Sequence, residues 1–222
     1  IFTKSKTGTI SDNTITSGKD KGIAINSVKC KMTISGNTIK KCKAYPIYCT
    51  PASTSYAITL KKNIITGNSK KIDGIRADSG KLILSSNTIS SCSRAIILSS
   101  KVKGTVYPNT FKKNTYNNVK VNSSYVNTLT VKSLSGKSKS AKTATLNWKK
   151  LSSASGYVVY RSASKNGSYT KISTIKKNKT ITYKDSKLKR KSTYYYKIVP
   201  YTTIGKTTVY GLDSKIVSIK IK

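Results

Sequence analysis

The sequence predicts an all-β protein in two parts: a parallel β-solenoid of about five coils over residues 1–127 and a seven-stranded antiparallel sandwich over residues 128–222. Three observations carry that prediction. The composition is rich in Thr, Ser, Ile, Val, Tyr and Asn and holds no Glu, which suits strands and not helices. A pattern built on one Asn recurs through the first half at about 25 residues, the period of a solenoid coil. After Tyr125 that period stops, and short runs of alternating apolar and polar residues follow.

The repeat reads Ile10-Ser-Asp-Asn13-Thr-Ile15, Ile34-Ser-Gly-Asn37-Thr-Ile39, Leu60-Lys-Lys-Asn63-Ile-Ile65 and Leu84-Ser-Ser-Asn87-Thr-Ile89, then more loosely Phe111-Lys-Lys-Asn114-Thr-Tyr116. The asparagines stand 24, 26, 24 and 27 residues apart. A shorter apolar segment follows each one: Gly22-Ile-Ala-Ile25, Pro46-Ile-Tyr-Cys49, Gly74-Ile-Arg-Ala77, Ala95-Ile-Ile-Leu98 and Val119-Lys-Val121. Coils of this kind stack at about 4.8 Å, so apolar side chains point inward at matching places. An inward Asn at a turn can bond backbone groups and the Asn of the next coil. Asn13, Asn37, Asn63, Asn87 and Asn114 are therefore expected to form one ladder. The repeats resemble the right-handed parallel β-helix of pectate-lyase and NosD-like proteins, over about residues 1–127.

The second half holds seven short runs: Leu129-Thr-Val131, Thr143–Trp148, Ser155–Arg161, Tyr169–Ile175, Thr180–Tyr183, Tyr194–Val199 and Ile216–Ile221. Spacing of this kind indicates an antiparallel sandwich. Trp148 on the second run, and Leu188 six residues before Tyr194, resemble a fibronectin type III domain. That resemblance makes Tyr194 a tyrosine corner, with Tyr196 and Ile198 inward on the same strand. It departs from the family at Arg190 and Lys191, where Pro and Gly are usual. The domain resembles lysine-rich versions found in secreted surface proteins of Gram-positive bacteria.

Charge narrows the function. The chain has 222 residues, with 43 Lys and Arg against 6 Asp and no His, a net +37. A His-based triad, a His-ligated metal and a catalytic Glu pair are excluded. Residues 1–127 carry 21 bases and 4 acids, and residues 128–222 carry 22 and 2, so the basicity covers the whole exterior. Such a surface attracts anionic polysaccharides and cell-wall polymers, and nucleic acid non-specifically at low salt. Base-specific reading of DNA needs arginines and a groove-entering element, and the sequence shows neither. No apolar run reaches the roughly 18–20 residues of a membrane span, so no membrane insertion is expected. The chain starts at Ile1 and not at Met, which suggests a processed product or a fragment.

The candidate site lies on the second strand of each repeat. With Ile23, Ile47, Ile75 and Ile96 inward, Ala24, Tyr48, Arg76, Ile97 and Lys120 stack outward. Tyr48 offers a ring for sugar stacking and Arg76 a fork for a carboxylate, with Asp73, Asp78 and Lys81 close by. β-Helix lyases and epimerases acting on uronic-acid polymers use residues of these types, commonly with Ca²⁺. The bland alternative is a solvated face with a local ion pair. Two acids make a poor Ca²⁺ site, and an inverting hydrolase needs paired carboxylates about 6.5–9.5 Å apart, so catalysis is left open but not indicated. No cofactor and no metal are expected. Cys42 and Cys92, two coils or about 10 Å apart, are expected as unpaired core fillers, whereas the spacing leaves a Cys30–Cys49 bond open.

Taken together, the sequence predicts a secreted, surface-associated structural protein that contacts anionic polymers through its lysines and self-associates through open solenoid ends. The alternative is the C-terminal part of a polysaccharide lyase or epimerase.

Overall fold

The computed structural model describes residues 7–26, 30–51, 53–68 and 71–222. Among these the chain is strands and turns without a helix. It divides into two compact units, residues 1–127 with 203–209, and residues 128–202 with 210–222. The expectation of an open N-terminal solenoid end falls on residues 1–6, outside the described residues.

The first unit is a parallel β-helix of about five coils, each contributing one strand to each of three sheets. The first sheet holds Thr7–Ser11, Lys31–Ser35, Ala57–Lys61, Gly80–Ser85 and Val102–Val106. Thr208 and Val209 align beside Thr105 and Val106. The second sheet holds Thr14–Thr16, Thr38–Lys40, Ile64–Thr66, Thr88–Ser90 and Thr110–Lys112. The third holds Ile23–Asn26, Ile47–Thr50, Ile75–Ala77, Arg94–Leu98 and Tyr116–Val121, closed by antiparallel Ser124–Val126.

Matching apolar residues face each other along the stack. Ile10, Ile34, Leu60, Leu84 and Val106 form one inward column, in register from coil to coil. Ile39, Ile65 and Ile89 form a second, and Ile47, Ile75 and Ile96 a third, all fully buried. Each such side chain contributes about 1.5–3 kcal/mol on burial. The core is narrow, and the chain meets it closely at Gly22 and Gly74. A Cβ at Gly22 would lie 2.6 Å from Ile39 and 2.7 Å from the Pro46 carbonyl, and one at Gly74 would lie 2.5 Å from Ile89.

The asparagine ladder exists, with one correction. Asn13 donates its backbone N–H and its side-chain amide to Asn37 Oδ1, both at 3.0 Å. Asn37 does the same to Asn63 at 3.1 and 3.0 Å, and Asn63 to Asn87 at 3.0 and 2.9 Å. Asn37, Asn63 and Asn87 also donate back to a carbonyl of the previous coil, those of Ile10, Ile34 and Leu60. The fifth rung is Asn109, not Asn114: Asn87 donates to Asn109 Oδ1 at 2.9 Å, because Thr88 pairs with Thr110. The signal was present as Val106-Tyr-Pro-Asn109-Thr-Phe111, a closer copy of the motif than Phe111–Tyr116. Asn114 stands at the next corner, where its Oδ1 accepts from the Cys92 N–H at 2.9 Å. Asp12, Gly36, Lys62 and Ser86, each directly before a ladder Asn, all have positive φ. That left-handed turn costs a non-Gly residue about 1–2 kcal/mol, which the ladder offsets.

All four cysteines are buried and free. Cys42 and Cys92 fill the core at the same repeat position, against Gly18 and Gly67 respectively. Cys49 stacks between Ile25 and Ala77, and burial pushes its thiol from the ordinary 9.0 up to about 12.

The second unit is an antiparallel sandwich. One sheet holds Leu134–Lys137, Ala144–Trp148 and Thr182–Asp185; the other is built on Gly156–Ser162, Thr170–Ile175, the long strand from Thr193 and Val217–Lys220. Seven strands form, but Leu129-Thr-Val131 is not the first of them. Leu129 and Val131 are buried without a strand ladder, and Leu134–Lys137 pairs with Ala144–Trp148 instead. Trp148 meets Tyr157 edge-on at 5.3 Å beside buried Leu188, Tyr196 and Ile198. The Tyr194 hydroxyl accepts the Lys189 N–H at 3.2 Å, the bond expected of a tyrosine corner. Asp185, 6% exposed, accepts from Tyr196 at 2.9 Å and from Arg161 at 3.0 Å, so its buried charge is paired.

Two measurements follow from this packing. Asn63→Ala removes the acceptor for two donors of Asn37 and is expected to cost roughly 3 kcal/mol, while Asn13→Ala costs roughly 1 kcal/mol at an exposed rung. Urea midpoints of the two variants test it, and equal losses would contradict the ladder's role. Stability held by the Cys49 thiol is whole below pH 9.0 and is lost as pH rises toward about 12, because only the unfolded thiol ionises in that window. Urea titrations across that range are expected to show a shallower alkaline decline in Cys49→Ala.

Candidate functional site

The register of the third sheet builds the site. Ala24 lies beside Tyr48, Tyr48 beside Arg76, Arg76 beside Ile97 and Ile97 beside Lys120. These are the odd residues out between the buried isoleucines and the next inward position, so the pleat turns them outward.

At the centre, Asp78 gathers two partners. The Tyr48 hydroxyl donates to its Oδ2 at 2.8 Å, and Arg76 Nε donates to its Oδ1 at 3.1 Å. Arg76 Nη1 donates to the Tyr45 hydroxyl at 3.2 Å, with the guanidinium 5.3 Å from that ring's centroid. Tyr45 and Tyr48 stack at 5.5 Å and 20°, and Lys21 Nζ lies 5.5 Å from the Tyr48 ring. The result is two parallel rings edged by two cations, in which the carboxylate is a tether. The Arg76–Asp78 pair is about one-third exposed, so its own contribution to stability is small, about 0–1 kcal/mol. The hydrogen bond to Asp78 raises the Tyr48 pKa above its ordinary 10.0, with burial and the carboxylate's charge acting the same way.

The structure divides the residues that the sequence grouped together. Tyr48, Arg76 and Asp78 meet, but Asp73 turns to Arg94 of the following coil at 3.7 Å. Asp73 Oδ1 and Arg94 Nε are buried and have no closer partner, so this ion pair sits just beyond hydrogen-bond length. Lys81 belongs to the first sheet, in register with Ala57 and Lys103, across the corner that follows Asp78. Tyr45 and Lys21 escaped the sequence reading because they lie at corners, outside the strand column. The aromatic pair in Tyr45-Pro-Ile-Tyr48 was the available signal. A second aromatic group lies on the last coil of the same sheet: Lys120 Nζ is 5.3 Å from the Tyr125 ring, and Tyr125 is 6.3 Å from Tyr116.

Residues 1–143, close to two-thirds of the chain, match the family described as periplasmic copper-binding protein (NosD). The chain belongs to the NosD family. Among curated proteins none matches this NosD member. Several of the solved structures similar to it are fibronectin type III domains. A fibronectin type III-like protein from Clostridium thermocellum is similar at 29% identity over 40% of this chain and 88% of its own, with a TM-score of 0.35. The sixth such domain of human fibronectin type III domain containing protein 3 is similar at 19% identity over 43% of this chain and 87% of its own, with a TM-score of 0.36. At those scores the likenesses carry no argument, and the sandwich of this NosD member rests on its own strand pairing.

Spectrophotometric titration tests the central bond. Tyr48 is expected to ionise above pH 10.0, and Asp78→Asn is expected to reduce that upward displacement in the alkaline difference spectrum. Identical titrations of the two proteins would mean that the Tyr48–Asp78 bond does not form.

Proposed function

We propose that this NosD-family chain is a non-catalytic extracellular structural protein whose lysine-rich exterior holds anionic polymers or glycans by charge. One observation carries the reading: five of the six carboxylates, Asp20, Asp73, Asp78, Asp185 and Asp213, are already engaged by a neighbouring base at 2.7–3.7 Å. Five acids are thus neutralised by neighbouring bases, and 43 bases against 6 acids leave most of the positive charge without an acidic partner. An external polyanion is the partner such a surface attracts.

The same pairing speaks for a non-catalytic role. Asp78 and Asp73, the carboxylates nearest the candidate site, are each held by a separate arginine as structural tethers. Among the described residues no group of three or more His, Cys, Asp or Glu could hold a metal ion. Within the charged coat, Tyr48, Tyr45 and Arg76 are the place where a sugar ring with a carboxylate fits, because the rings give a flat face and the cations a counter-charge. The second unit fits a fibronectin type III-like spacer, on its three-plus-four strands and the Tyr194 bond to Lys189. Self-association through open β-helix edges belongs to the same proposal. The family is described as periplasmic, and no helix among the described residues is long and apolar enough to cross a membrane. The family description fits a location outside the cytoplasm. The family description also names copper, and the donors of this chain do not fit it.

Binding to teichoic acid, a polyuronate, a sulfated glycan and DNA across a salt series tests the proposal. All four are expected to bind at low salt and to be lost together, by roughly 10³–10⁵-fold between about 50 and 200 mM. One uronate polymer retained at high salt, and lost in Tyr48→Ala or Arg76→Ala, would establish the sugar site. No binding at low salt, or turnover of any polymer, would overturn the reading.

A further inference from the structure

We infer that this chain of the NosD family holds no copper, because among the described residues too few donors converge to bind the ion. Copper(I) is bound by soft sulfur or imidazole ligands, and copper(II) by imidazole and oxygen in tetragonal arrangements. The chain has no His and no Glu, one Met and four Cys. Every Cys, Met and Asp lies among the described residues, so each donor has a place in the fold.

Those places are separate. Cys30 Sγ and Met32 Sδ do meet, at 3.5 Å, as two inward residues at the start of a first-sheet strand. They stop at two donors, because the neighbours of Met32 along the stack are Gly8 and Ile58. Cys49 lies between Ile25 and Ala77. Cys42 and Cys92 fill the same corner two coils, or about 10 Å, apart. Cys92, like Cys49, is pushed by burial up to about 12, so its thiolate is scarce at neutral pH. Asp73 and Asp78 are held by arginines, and a net charge of +37 repels a cation approaching from solvent. Copper therefore belongs to the family's description and not to the chemistry of this chain. Here the β-helix serves as a scaffold for its outer surface.

The test uses the full reduced chain under anaerobic conditions. Copper(I) complexed to the colorimetric chelator bicinchoninate is titrated with protein, and copper retained after desalting is measured by elemental analysis, for copper(I) and copper(II) alike. The expected result is no transfer from the chelator, substoichiometric copper after desalting, and no change in Tm. Weak copper released by the chelator agrees with adventitious surface contact and supports the inference. One equivalent withdrawn from the chelator overturns it. Loss of that equivalent in Met32→Leu would place the metal at Cys30 and Met32, with Cys30→Ser as the second variant if the first fails to fold by circular dichroism. Retention in both would place it elsewhere, and the inference would fall either way.

Discussion

The whole first unit depends on one repeated hydrogen-bonding arrangement, the buried Asn that joins three coils at once. Asn63 takes the donors of Asn37 on its carbonyl, gives its own donors to Asn87, and reaches back to the Ile34 carbonyl. A buried amide left with any of these unmade would cost about 1–3 kcal/mol, so the side chain fixes the vertical register of its neighbours. Once that register is fixed, Ile39, Ile65 and Ile89 must superpose, and the core follows. The left-handed residue before Asn13, Asn37, Asn63 and Asn87 is the cost of turning the chain at those points, and it persists because the ladder over-determines it.

That same register decides what the outside presents. A stack of coils in step turns one residue per coil outward in a column, which brings Tyr48 and Arg76 side by side although 28 residues separate them. The few carboxylates are then consumed locally, as tethers for Arg76, Arg94 and Arg161. The surplus of lysine is left uncompensated over both units. A fold held together by apolar columns and amide ladders does not need surface ion pairs for stability, so its exterior is free to carry a single sign of charge. The NosD family match covers the β-helix that this register builds.

Much of this was legible before any coordinates. Four of the five ladder asparagines, the inward isoleucines and the outward column from Ala24 to Lys120 follow from period and alternation, while Trp148, Leu188 and Tyr196 came with the resemblance to a fibronectin type III domain and are buried. The failures share a cause. Asn114 was favoured over Asn109 because coil length varies, from 26 residues in one interval to 22 in another, and a search at fixed period slides past the true rung. Leu129 and Val131 have the apolar alternation of a strand and are buried like one, yet burial does not create a ladder partner.

The sequence by itself determined the two-part all-β architecture, the sign of the surface and the absence of imidazole chemistry, because composition and short-range periodicity act through each residue's own preferences. The tertiary structure alone decided the partners. It sent Asp73 to Arg94 and Asp78 to Tyr48 and Arg76, placed Lys81 on another sheet, and brought Tyr45 against Tyr48 from a corner. It also placed Cys30 against Met32 and kept the other thiols apart. The reason is geometric: a side-chain contact between coils depends on how many residues each corner consumes, and corners obey no period.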